Sequence, residues 1–195
     1  MLKKQVILSL IATLFLILGA CANANDENTK NNEHAEHGEK TEDIEGMDHD
    51  NMNHSSSGEV PEGLKEAENP TYKVGSHAII ETDHMAGMKG AEATIVGAYD
   101  TTVYTISYTP TTGGDRVENH KWVIHEELQD AGEAPLKPGT NVKVNADHME
   151  GMDGATAEID SAEKTTVYMV DFTQTNGGEE VKNHKWVTEG ELSPK

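Results

Sequence analysis

Two stretches of nine residues hold the side chains best suited to binding chemistry. They are Asp83-His84-Met85-Ala86-Gly87-Met88-Lys89-Gly90-Ala91 and Asp147-His148-Met149-Glu150-Gly151-Met152-Asp153-Gly154-Ala155. Each is a His-Met-x-x-Met pattern laced with glycine. Thioether sulfur is soft and polarisable and imidazole is borderline, a pairing that suits copper better than calcium, magnesium or zinc. The glycines let each loop fold tightly enough for His84, Met85 and Met88, or His148, Met149 and Met152, to converge. Imidazole is mostly neutral at about pH 7, so binding there needs no costly deprotonation. Monovalent copper fits the ligand set first and divalent copper second. The competing reading is structural: methionine fills gaps in small cores, and a histidine can cap a turn.

His120 and His184, both within Asn-His-Lys-Trp-Val, form a second tier of candidates. They would complete the coordination if their strand ran beside the loop; otherwise they are hydrogen-bonded structural residues. Trp122 and Trp186 read as core. Asp83 and Asp147 would either orient the neighbouring imidazoles or lie on the loop surface. His77 and His125 align with Asn141 and Glu189, so any role for them belongs to one copy alone.

The elements that must position these residues are repeated. Thr101-Thr102-Val103-Tyr104 is answered by Thr165-Thr166-Val167-Tyr168, and Asn119-His120-Lys121-Trp122-Val123 by Asn183-His184-Lys185-Trp186-Val187. Every pair, His84 and His148 included, is offset by the same 64 positions (148 − 84), so the duplication carries no gap. The boundaries fall at 70–131 and 135–195, joined by a short turn ending at Pro135. Extended segments are predicted at 77–82, 91–99, 103–108 and 117–124 and at 141–145, 155–159, 167–172 and 181–188, with alternation in the β period clearest at 103–108 and 167–172. Thr112-Gly-Gly-Asp115 and Asn176-Gly-Gly-Glu179 read as hairpin turns. No long helical pattern follows the first twenty residues. The expected fold is all-β: two tandem small SH3-like barrels behind a flexible tether.

That tether, residues 21–69, is polar and poor in branched apolar side chains, and so lacks the surface to offset the entropy of ordering. It nonetheless holds His34, His37, Met47, His49, Met52 and His54, two ligand types that a generic linker does not require. These are weaker metal candidates than the loop residues. Ahead of the tether, Lys3 and Lys4 precede an apolar run, Val6 to Leu18, too short to span a bilayer. Leu18-Gly19-Ala20-Cys21 then places small residues before the only cysteine of the chain. The pattern is that of a bacterial lipobox, so residues 1–20 are read as a signal peptide and Cys21 as the site of lipidation. Buried acyl methylenes contribute about 0.8 kcal/mol each, enough for a two-chain anchor to hold. The implied location is the outer face of the cell membrane.

The formal charge of −20 becomes −22 when Lys3 and Lys4 leave with the leader. So acidic a surface repels nucleic acid and concentrates cations. No serine elbow, phosphate loop or metalloprotease helix is present, and an enzyme is not expected.

The paired His-Met loops, the Thr-Thr-Val-Tyr and Asn-His-Lys-Trp-Val strands, the lipobox and the acidic Met/His-rich tether together resemble the YdhK family of bacterial lipoproteins. Within that resemblance the chain is similar to CopL-like lipoproteins associated with copper tolerance. The likeness implies copper sequestration outside the membrane, with a copper exporter or the cell wall as further partners; it assigns no ligands. The competing function is an envelope adaptor that binds peptidoglycan or a protein through its small β domains. Trp122 and Tyr104 would then line an exposed groove.

Overall fold

The computed structural model describes residues 54–195. The predicted leader, Cys21, and the tether ligands His34, His37, Met47, His49 and Met52 lie outside the described residues.

Among the described residues nine strands make one antiparallel sheet: β1 (Lys65–Glu66), β2 (His77–Ile80), β3 (Glu92–Tyr108), β4 (Val117–Ile124), β5 (Leu128–Gln129), β6 (Asn141–Val144), β7 (Thr156–Thr173), β8 (Glu180–Thr188) and β9 (Leu192–Pro194). Its main path runs β5-β6-β7-β3-β2-β9, with β1 and β4 on β3 and β8 on β7. The all-β class and the repeat are as predicted. Two closed SH3-like barrels, one per repeat, are not what forms; the sheet is single and open.

The reason lies in β3 and β7. Read from sequence, each was two strands broken near Asp100 or its counterpart. The segments Thr101-Thr102-Val103 and Thr165-Thr166-Val167 instead favour extended backbone and hold no glycine or proline to turn it. Strands of 17 and 18 residues result. They pair with each other along almost their whole length, from Ala93↔Phe172 to Tyr108↔Ala157. Thr101 faces Thr165, its own counterpart at the repeat offset, so a pseudo-twofold axis passes between them.

This crossing divides each repeat between two cores. One core joins Ala78, Ile80, Met88 and Ile95 of the first repeat to Tyr168, Val170, Val181 and Leu192 of the second. The other joins Tyr104, Ile106, Tyr108 and Val123 of the first to Val144, Met152, Ala157 and Ile159 of the second. Trp122 and Trp186 meet in a third cluster with Val103, Ile124, Val167 and Met169, so their predicted place in the core holds. The Gly-Gly turns connect β3 to β4 and β7 to β8, as expected, with Gly113, Gly114 and Gly177 at positive φ. Each turn also grips the other repeat's His-Met loop: Thr175 N–H donates to Gly87 O at 2.8 Å, and Thr111 N–H to Gly151 O at 2.9 Å. A Cβ at Gly87 would stand 2.7 Å from Asn176 Oδ1, and at Gly151 2.6 Å from Thr112 Oγ1. Only glycine admits this approach.

Since half of each core comes from the other repeat, residues 70–131 alone are expected to fold only as two copies exchanging halves. Their thermal midpoint should rise with protein concentration, whereas that of residues 54–195 should not. Circular dichroism melts over a concentration series check this.

Candidate functional site

The His-Met loops sit between β2 and β3 and between β6 and β7. His84 Nε2 lies 2.8 Å from Oε1 of Glu191. The other oxygen of Glu191 accepts from the Trp122 indole at 2.8 Å and from the Thr188 amide and hydroxyl at 3.0 Å. His148 repeats the arrangement, with Nε2 2.8 Å from Oε1 of Glu127. Glu127 also accepts from the Trp186 indole and the Ile124 amide, both at 3.1 Å. Histidine and tryptophan come from one repeat and the carboxylate from the other, in both cases. Burial pushes the Glu191 carboxyl up, but the hydrogen bond and charge of His84, the Thr188 amide and the Trp122 indole outweigh it and bring it down to about 2.

These carboxylates fix the imidazoles. A carboxylate only accepts, so each of these bonds is donated by Nε2–H, and in the neutral ring Nδ1 is then the nitrogen with the lone pair. In both His84 and His148, Nδ1 is shut off from solvent and has no hydrogen-bond partner. The same is true of His120 Nε2 and of both ring nitrogens of His184. A buried polar atom without a partner is rare in a folded protein, and here four histidines of one region share the condition. His120 and His148 have ring centroids 6.4 Å apart. Burial, followed by the charges on His148, His84 and His54, holds His120 down to about 3. Burial, followed by His84, His54 and His148, does the same for His184, against a weaker opposing contact from the His54 backbone. Both rings are therefore neutral at any physiological pH.

Local backbone makes this arrangement. Asn119 and Asn183 adopt positive φ, of 53° and 52°, which asparagine tolerates better than most residues. Register shifts flank Ile106↔His120 and Val170↔His184, re-aiming each histidine out of the regular alternation. The Lys121–Trp122 and Lys185–Trp186 peptides that follow are cis.

The predicted ligands are thus divided. His84, His148, His120 and His184 lie in one region, and His54 joins them with its ring 6.3 Å from His184. Met88 and Met152 are fully buried in the two cores, and Met85 lies beside Met88 at 7% exposure. Met149 is half-buried and lines a surface cleft. The loops do not gather His, Met and Met around one point, because the second methionine fills a core. Asp83 and Asp147 are exposed; the carboxylates orienting the imidazoles are Glu191 and Glu127. His77 is exposed beside Glu92, and His125 bridges the Tyr104 hydroxyl and the Gly132 carbonyl, both structural positions. Among the described residues no three His, Cys, Asp or Glu side chains are grouped to hold an ion.

Glu127 and Glu191 are not among the residues that the sequence singles out by type. Two signals pointed to them. They stand at the repeat offset, and each lies three residues after its strand end, where its side chain accepts the Ile124 or Thr188 amide. Glu127→Ala leaves the Trp186 indole, His148 Nε2 and the Ile124 amide without their acceptor. Buried donors left unpaired cost about 1–3 kcal/mol each, so urea unfolding should register a loss of about 3 kcal/mol or more. At exposed Glu133 the same change should stay within about 0.5 kcal/mol.

A family model described as a protein of unknown function, DUF1541, matches residues 74–125 and again 138–189. The uncharacterized protein YdhK of Bacillus subtilis (strain 168) is 58% identical over 186 residues, covering 95% of this chain and 87% of that protein. A crystal structure of YdhK from the same organism, at 2.00 Å resolution, is 69% identical, with a TM-score of 0.71 over 73% of this chain and 97% of that one. A solution structure of the YdhK C-terminal domain is 71% identical, with a TM-score of 0.61 over 63% of this chain and 93% of that one. The chain belongs to the DUF1541 family, as a tandem-repeat member closely similar to YdhK.

Proposed function

We propose that the chain is a lipid-anchored, extracytoplasmic copper-binding protein that sequesters copper and so contributes to copper tolerance. The observation that carries this reading is a set of four histidines, each with a buried ring nitrogen that has no hydrogen-bond partner. The repeat offset sorts them into two counterpart pairs, each with one member from each repeat: His120 with His148, whose ring centroids are 6.4 Å apart, and His184 with His84, whose charge acts on it.

Metal–imidazole nitrogen distances are about 2.0 Å, so two nitrogens sharing one ion stand about 4 Å apart, and the ring centroids about 6 Å apart. The 6.4 Å between His120 and His148 matches such a pair. The rings are neutral, so an ion displaces no proton from His120 or His184. Zinc and calcium favour four or more hard or borderline donors, and no group of three is in place among the described residues. Monovalent copper, a soft ion with a closed shell, accepts the lower coordination that two imidazoles supply. The Leu-Gly-Ala-Cys21 pattern supports the anchor, and the acidic surface would concentrate cations around it. No reaction is assigned to the site. The adaptor reading has less support: Tyr104 is fully buried and Trp122 nearly so, and neither lines an exposed groove.

Titration of residues 22–195 with Cu(I) against a competing chelator tests the reading. Two tight ions are expected, one lost in His120→Ala and the other in His184→Ala, with the tryptophan fluorescence of the fold kept. Tight binding that survives the double variant would overturn the assignment. Met88→Leu and Met152→Leu, which conserve core volume, should leave both ions bound and cost less than about 1.5 kcal/mol in urea unfolding.

A further inference from the structure

The pseudo-twofold symmetry is broken at the edge 182–185. Residues 55–59 run as a strap along 182–185, the edge that leads into His184. Ser56 N–H donates to Lys182 O at 2.9 Å and Ser56 Oγ to Asn183 O at 2.7 Å. Lys182 N–H donates to Ser55 Oγ at 2.9 Å, and Asn183 Nδ2 to Ser56 O at 3.2 Å. Lys185 Nζ turns away to the Glu59 carbonyl. Among the described residues there is one such strap, and it lies on the second repeat's edge; the matching edge of the first repeat is 118–121.

The strap places His54 at a cleft of about 200 Å³, which it shares with Asp147, His148, Met149, Glu150 and Lys185. Here the two loops share the Asp-His pair and differ in the residues around it. Met149 opens onto the cleft, whereas its counterpart Met85 is buried in a core. Glu150 stands where the first loop has Ala86, and Asp153 where it has Lys89. Lys185, the one cation among the cleft's lining residues, is engaged by the strap. At the floor, His148 has its Nε2 held by Glu127 and its Nδ1 unpartnered. A soft ligand, an imidazole and two carboxylates thus ring an opening lined also by His148, whose Nδ1 is unpartnered.

We propose that this cleft is a receiving site for monovalent copper, with His54 and Met149 as its outer ligands and His148 at its floor, and that the first repeat has no equivalent. The proposal rests on the copper reading above and adds a direction to it. Copper arrives on the strapped side, at a point where the last histidine of the Met/His-rich tether is built into the folded unit. The two histidine pairs are accordingly unequal, one opening to solvent through a ligand-lined cleft and the other not.

Methionine-methyl NMR of residues 22–195 titrated with Cu(I) tests this directly. The Met149 methyl resonance should move with the first equivalent while that of Met85 stays in place. In His54→Ala the Met149 shift should require at least tenfold more free Cu(I), with the buried pairs still binding against the chelator. Gly58→Ala should reproduce that effect, because its Cβ would lie 3.1 Å from the Asn183 side chain at a φ of +81° and lift the strap. A Met149 methyl that stays still while copper binds elsewhere, or one that moves equally in wild type and His54→Ala, would overturn the receiving site and leave the sequestration reading intact. Absence of any Cu(I) binding would overturn both.

Discussion

The antiparallel pairing of β3 with β7 is the constraint from which the rest of the molecule follows. Once Thr101 faces Thr165, whatever precedes it in the first repeat must lie beside whatever follows Thr165 in the second, and the reverse. Each core is then assembled from unlike halves. The loops meet the other repeat's turns, and the histidines meet the other repeat's carboxylates. None of these contacts needs a separate explanation, since a long strand pair with a pseudo-twofold at its midpoint dictates them all. The bulges within the ladder, between Ile95 and Gly97 and between Thr105 and Ile106, adjust its twist and leave the crossing intact.

Burying a carboxylate is costly unless its oxygens are filled. Glu127 and Glu191 meet that requirement with an indole, an imidazole and a backbone amide each, and so tie a strand end, a core tryptophan and a loop histidine at one point. The same bonds have an outward effect. By engaging Nε2 they turn Nδ1 of His84 and of His148 away from the carboxylate, into buried positions without a hydrogen-bond partner. Rigidity of the fold and readiness of the candidate ligands thus have one source.

Much of this was legible in the sequence. The repeat and its offset, the all-β class, the Gly-Gly turns and the burial of both tryptophans follow from residue types and periodicity alone. Histidine as the centre of the chemistry was legible as well. The exchange of halves was not, because a strand's sequence records which of its faces is apolar and not which partner covers it. The same limit hid the roles of the methionines: Met85, Met88, Met149 and Met152 occur in one repeated pattern, yet only Met149 reaches a cleft. Pattern assigns equal chances to positions that packing then separates. His120 and His184 ranked below the loop residues because a histidine beside a strand tryptophan usually has a hydrogen-bond partner. Their lack of one depends on a bulge set by a left-handed asparagine, which no local pattern announces.

The crossing also bears on how such a chain can be inherited. A repeat that folds by itself can drift, lengthen or be lost while its twin carries on. Here neither copy owns a core, so a residue added to one hairpin shifts the register of the other copy's loop and displaces a carboxylate from the opposite histidine. An alteration in either half reaches both lobes at once. The unbroken offset between the copies fits such mutual dependence: side chains differ between them at buried positions (Ile124 against Thr188, Tyr108 against Phe172) as well as exposed ones, while the spacing stays fixed.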